Sequence, residues 1–173
     1  DIYHKGIDLL IQACENNYKM MKEKNCTIDI YGPSSSDLDT IKNMITQAGL
    51  SGIINLKGAV YGEMKEEVLL NSDFFVLTSR FEGHPMGLIE ALSYGLPCLV
   101  TTGTNMAEEI KVADAGWTSD ISVEGISEAL KSLLCEKSNL DEKGKNSLEL
   151  SNKYKWENIA QKTHDEYRVI LGS

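Results

Sequence analysis

Two hydrophobic patterns alternate along the chain. Short, nearly continuous runs of apolar and β-branched residues occur at TIDIYG (27–32), IINLKG (53–58), DFFVLTS (73–79) and PCLVTT (97–102). Between them, at 6–22, 37–48, 63–71 and 86–95, apolar positions recur with helical spacing. The first pattern predicts strands buried on both faces, and the second predicts amphipathic helices. A weaker strand at AGWTS (115–119) and a helix from Ile126 to Leu134 extend the series. From Asp141 to Leu171 the chain is charged, with apolar positions such as Leu148, Trp156, Ile159, Tyr167 and Ile170, which predicts one or two amphipathic helices and no further sheet.

Strand and helix in alternation imply an α/β fold: one Rossmann-like domain, its parallel sheet of about five to six strands covered by helices on both faces. No strand is visible ahead of the helix at 6–22, and the chain opens on Asp1. Residues 1–173 are therefore expected to be one domain of a longer protein, with the first strand of this sheet upstream.

Composition narrows the function classes. With 173 residues and 42% hydrophobic content, a single well-buried domain is expected. No apolar run reaches the roughly eighteen residues of a membrane span. DIYHKGIDLL lacks the basic, apolar and small-residue order of a secretory signal, so a cytoplasmic location is expected. The net charge of −9 excludes nucleic acid as a partner, because a phosphate backbone needs a basic face. Cys14, Cys26, Cys98 and Cys135 form no C-x-x-C and predict reduced, mostly buried thiols, not zinc. The motifs of dinucleotide-binding, P-loop and serine-hydrolase enzymes are all missing.

The informative stretch is SRFEGHPMGLIEALSYGLPCLV (79–100). In open α/β sheets, ligands bind where loops leave the carboxyl ends of strands. SRFEGHP is such a loop, and Pro85 suits the first position of a following helix. Backbone amides of Met86, Gly87 and Leu88 would then be free at a helix end that favours anions, with Gly87 leaving room for a phosphate. Glu90 falls on the same helix face one turn further in, suited to a ribose hydroxyl. Glu82 lies in the loop on the other side of the phosphate position. An E-x7-E spacing alone carries little weight; the strand end, proline and glycines around it give it meaning.

The series S-x-x-E-G-x-P-x-G-L-x-E-A-x-x-x-G-x-P, filled by Ser79, Glu82, Gly83, Pro85, Gly87, Leu88, Glu90, Ala91, Gly95 and Pro97, resembles the donor-site motif of retaining GT-B glycosyltransferases of the family 4, or group 1, type. KGIDLLIQA, IDIYGPSSSDLDTIKNMITQAGL, INLKGAV, NSDFFVLTS and YKWENIAQKTHDEY fit that family in order, so the resemblance spans nearly the whole chain. It implies the C-terminal, donor-binding domain of a hexosyltransferase-type enzyme acting in polysaccharide or glycoconjugate synthesis. Its substrate would be a nucleotide-diphosphate sugar, with no metal or other cofactor required. It further implies a missing N-terminal Rossmann domain, a sugar or lipid-linked acceptor, and peripheral membrane association through that absent domain. This piece alone would be inactive in transfer.

By motif position, Glu82 would be the catalytic carboxylate beside the sugar. Glu90 would hold the ribose, Gly83, Pro85, Met86, Gly87 and Leu88 would frame the diphosphate, and Lys5 would neutralise it. His84 stands where the family often carries an apolar residue, and both a sugar contact and a loop-packing role are open to it. Gly32, Pro33, Lys57, Gly58 and Tyr61 would neighbour the nucleotide, Tyr61 either stacking on the base or standing as an ordinary surface residue. Arg80 either offsets phosphate charge or pairs with an acid. Gly103, Thr104, Asn105 and Glu109 belong to another loop near the donor. The family's glycine-arginine strand ahead of the K-G element is absent. Asp37-Leu38-Asp39 reads as a helix start, not a metal site. A non-catalytic nucleotide-sugar-binding module and a sugar-nucleotide epimerase of the same fold are the alternatives.

Overall fold

A computed structural model describes residues 1–33 and 37–171. Each of the five apolar runs forms a strand: β1 Ile28–Tyr31, β2 Ile54–Gly58, β3 Phe75–Leu77, β4 Cys98–Thr101 and β5 Gly116–Ser119. The helices are α1 Ile7–Asn16, α2 Tyr18–Glu23, α3 Leu38–Gln47, α4 Glu63–Leu70, α5 Met86–Ser93, α6 Ala107–Val112, α7 Val123–Cys135, α8 Leu140–Ser151 and α9 Trp156–Leu171. The helical stretch at 6–22 breaks at Asn17, whose buried side-chain amide donates to Ala13 O at 2.9 Å and to Ser127 O at 3.0 Å. Six-residue α6 was not expected, being too short to show a helical period.

All strand pairs are parallel, but they form two sheets where one was expected. β1 pairs with β2, and β4 lies between β3 and β5. β1 and β3 are not paired with each other. Residues 2–6 run across the carboxyl ends of these two strands. Ile2 N donates to Asp37 Oδ2 at 3.1 Å on the β1 side, and Arg80 N donates to His4 O at 2.9 Å on the β3 side. Gly6 is required there: its φ is +61°, and a Cβ would stand 2.0 Å from Thr78 O.

β4 is the strand buried throughout, with Leu99 turned to one core and Cys98 and Val100 to the other. The first core joins Leu10, Ile11 and Cys14 of α1 to Ile41 and Ile45 of α3 and Leu130 and Leu133 of α7. The second packs Leu88, Ala91 and Leu92 of α5 against Ile110 of α6 and Leu150 of α8. Helices therefore cover both faces, as the alternation predicts. β1 and β2 depart from it: Ile28 and Ile54 enter the first core, whereas Asp29, Asn55 and Lys57 line the other face as a polar cluster. Cys14 and Cys98 are buried, Cys26 is partly buried and Cys135 exposed. Burial, with a smaller push from Cys26, raises the Cys14 thiol to about 12, so it stays protonated. Among the described residues, no helix is long and apolar enough to cross a membrane.

Candidate functional site

The loop from Ser79 to Pro85 leaves β3 and enters α5, where the sequence places it. Its first residues are fixed by neighbours. Thr101 Oγ1 donates to Ser79 O at 2.6 Å, Glu82 N to Gly103 O at 2.8 Å, and Asn105 Nδ2 to Glu82 O at 2.7 Å. The loop after β4 thus buttresses the loop after β3, and Glu82 is held by its backbone on both sides.

Its carboxylate is held as well. Lys5 Nζ and Ser79 Oγ both donate to Glu82 Oε1, at 2.5 and 2.7 Å, and the Glu82 side chain is only 12% exposed. Burial pushes this carboxyl up; hydrogen bonds from Lys5 and Ser79, with the charges of Lys5 and His4, outweigh it and hold the group below the usual carboxylate range. Glu82 is therefore an oriented anion at neutral pH. Lys5 itself is held by its backbone, since Thr78 Oγ1 donates to Lys5 O at 3.2 Å and to Gly6 O at 3.1 Å.

Arg80 resolves to the acid-pairing reading. It binds both Asp8 oxygens at 2.7 Å, donates to Tyr3 O at 2.5 Å and lies 3.9 Å over the Tyr3 ring. Its guanidinium is spent on residues 3–8, so its charge anchors the segment that carries Lys5.

The helix end differs in detail from expectation. Pro85, with ψ 78°, stands one residue ahead of α5 and not inside it. Of the three amides expected to be free, two are closed by the tight turn into the helix: Met86 N donates to His84 O and Leu88 N to Pro85 O, both at 2.9 Å. The Leu88 side chain is fully buried. Gly87 N makes no hydrogen bond with the described residues, and neither do the Gly83 and His84 amides. The free donors therefore belong to the loop and to Gly87. Nothing among the described residues demands glycine at 87, where a Cβ would meet only Phe75 Cζ, at an ordinary 3.7 Å.

Glu90 lies one turn along α5, 39% exposed, with its Oε2 bonded to Lys65 Nζ of α4. Lys65 escaped the sequence reading, which had no signal for a contact between residues 25 apart. The strand-end positions Gly32 and Gly58 are joined, Gly32 N donating to Gly58 O at 3.0 Å, and Pro33 follows them. Lys57 pairs across strands with Asp29 at 3.4 Å, and Tyr61 is 74% exposed. The His84 ring packs 6.4 Å from Tyr154, whose hydroxyl donates to Glu109. Asp37 accepts from Ile2 N and Asp39 pairs with Lys42 at 3.8 Å; Ser34, Ser35 and Ser36 lie outside the described residues.

Known proteins resemble the chain in sequence and fold. The sequence profile of the glycosyl transferases group 1 family matches residues 2–149. An uncharacterized glycosyltransferase of Methanocaldococcus jannaschii is 26% identical over 172 residues, covering 98% of this chain and 43% of that protein. The amylovoran biosynthesis glycosyltransferase of Erwinia amylovora is 27% identical, covering 75% of this chain and 32% of its own length. The crystal structure of TarM from S. aureus in complex with UDP superposes with a TM-score of 0.77 at 26% identity, over 94% of this chain and 32% of that one. The chain thus spans less than half the length of these proteins. A profile match over most of its length, together with a fold matching the C-terminal domains of GT-B enzymes, means that the chain belongs to the glycosyl transferases group 1 family.

Proposed function

We propose that this chain is the donor-binding half of a retaining hexosyltransferase that moves a sugar from a nucleotide diphosphate to a carbohydrate or lipid-linked acceptor in polysaccharide or glycoconjugate synthesis. One observation carries the reading: Glu82 sits at a strand end as a fixed, ionised carboxylate, in the same loop and helix start as the amides of Gly83, His84 and Gly87, which have no bond to the described residues. A cationic sugar centre and an anionic leaving group need those two features side by side. The anomeric carbon–oxygen bond to the diphosphate breaks while the acceptor hydroxyl adds to the same face, its proton passing to a leaving phosphate oxygen. Glu82 stabilises the oxocarbenium-like charge without attacking it. The free amides receive the diphosphate, and Lys5, 49% exposed and with donors to spare, reaches it while still bonded to Glu82. Glu90 accepts from the ribose. The scheme uses no metal.

Acceptor groups belong to an N-terminal Rossmann domain of the same protein, and a strand from outside this chain lies between β1 and β3, which among the described residues are not paired with each other. That order, β2-β1-strand-β3-β4-β5, is the doubly wound arrangement. Alone, the chain should bind a nucleoside diphosphate and transfer nothing. Ligand-observed NMR against UDP, GDP and ADP tests this; silence from all three with folded protein rejects the donor site as read.

A further inference from the structure

Lys65 belongs neither to the donor motif nor to the loop that carries Glu82. In α4, EMKEEVLL, it is the one basic residue beside three glutamates, and no acid stands three or four positions from it. Its Nζ instead crosses to α5 and bonds Glu90 Oε2. Both side chains are 39% exposed, and pairs of that kind add little to folding stability. Folding stability is then not its main effect, and its place beside the donor motif points to another.

Charge supplies one. The chain carries −9, and a nucleoside diphosphate approaching α5 would meet the Glu90 carboxylate about one helical turn from the phosphates. Glu82 already has Lys5 as its counter-ion; Lys65 is the corresponding cation for Glu90. Its bond occupies one carboxylate oxygen, and Glu90 Oε1 has no bond to the described residues. One oxygen is thus steadied and the other left open.

We propose that Lys65 is a positioning residue of the donor site. It neutralises Glu90 and fixes its carboxylate, so that a ribose hydroxyl binds Oε1 and the anionic nucleotide enters without repulsion. This rests on the donor-site reading above and adds α4 to the walls of that site. Lys65 acts on donor affinity through Glu90.

Calorimetric titration of the full-length protein with UDP, GDP and ADP tests it in wild type, Lys65→Met, Lys65→Arg, Glu90→Gln, and the combination of Lys65→Met with Glu90→Gln. For the tightest nucleotide, Lys65→Met should weaken binding about tenfold, and Lys65→Arg should stay within about threefold of wild type. In the Glu90→Gln background, Lys65→Met should cost less than about threefold, because no charge remains to neutralise. Unchanged affinity in Lys65→Met, with wild type binding well, overturns the Lys65 role and leaves the donor site standing. An equal loss with and without Glu90 overturns positioning through Glu90. Folded wild type that binds none of the three ends both readings. Thermal melts of each variant separate lost folding from lost binding, with Lys65→Gln as the replacement if Lys65→Met fails to fold.

Discussion

Glu82 and Glu90 lie on one loop-and-helix unit, yet the structure holds them in opposite ways. Glu82 is 12% exposed, receives Lys5 and Ser79 on one oxygen, and has its own backbone tied to Gly103 and Asn105. Glu90 is 39% exposed and, among the described residues, its carboxylate rests on Lys65 alone. The difference fits the two tasks proposed for them. A group that stabilises charge at a reacting carbon must stand in place before the charge develops, so its surroundings fix it. A group that holds a ribose hydroxyl needs one open oxygen on a steadied carboxylate, and a helix-borne glutamate with a single lysine on its other oxygen provides that. A symmetric acid and base couple would show two similar environments, and these are dissimilar.

The sharpest way to break this comparison is to remove one acid at a time from the full-length protein. Glu82→Gln is expected to lower kcat by about 10²-fold or more, with KM for the donor within about threefold. Steady-state kinetics decides it, and a raised KM with unchanged kcat would remove Glu82 from the chemistry. Glu90→Ala should show the complementary pattern at smaller size: donor affinity down about 10- to 100-fold, as for a lost hydrogen bond to a charged group, with turnover nearly intact. If both variants lose affinity alike, the division of tasks is wrong.

How much of this could be read from the residues depends on range. All five strands were legible, because strands of a parallel sheet are continuous apolar runs bounded by helical spacing. So was the loop carrying Glu82, because a strand end, Pro85 and Gly87 fall within one short stretch. What stayed hidden is non-local or sub-periodic. The Asn17 break depends on Ser127, far along the chain. The polar outer face of β1 and β2 depends on which helices reach it. Lys65 looks like any lysine of an acidic helix until α4 and α5 are set side by side. The closed amides of Met86 and Leu88 depend on the turn at Pro85, whose ψ no spacing reveals.

Gly87 offers the finest test, because it lies between the two acids and the described residues give no packing reason for it. Its φ is not in the left-handed region, and an added methyl would touch only Phe75 at 3.7 Å. Helical alanine loses less backbone entropy than glycine, so Gly87→Ala should leave stability unchanged or raise it by up to about 0.5 kcal/mol. Donor binding should still weaken by about fivefold, since the methyl would crowd a phosphate approaching the free Gly87 amide. Urea unfolding and nucleotide titration on the same variant make the two readouts independent. Gain in stability with loss of binding would mean that glycine stands here for the ligand. A variant that is less stable and binds normally would mean that it stands here for the fold, and the phosphate position would then have to move toward the Gly83 and His84 amides.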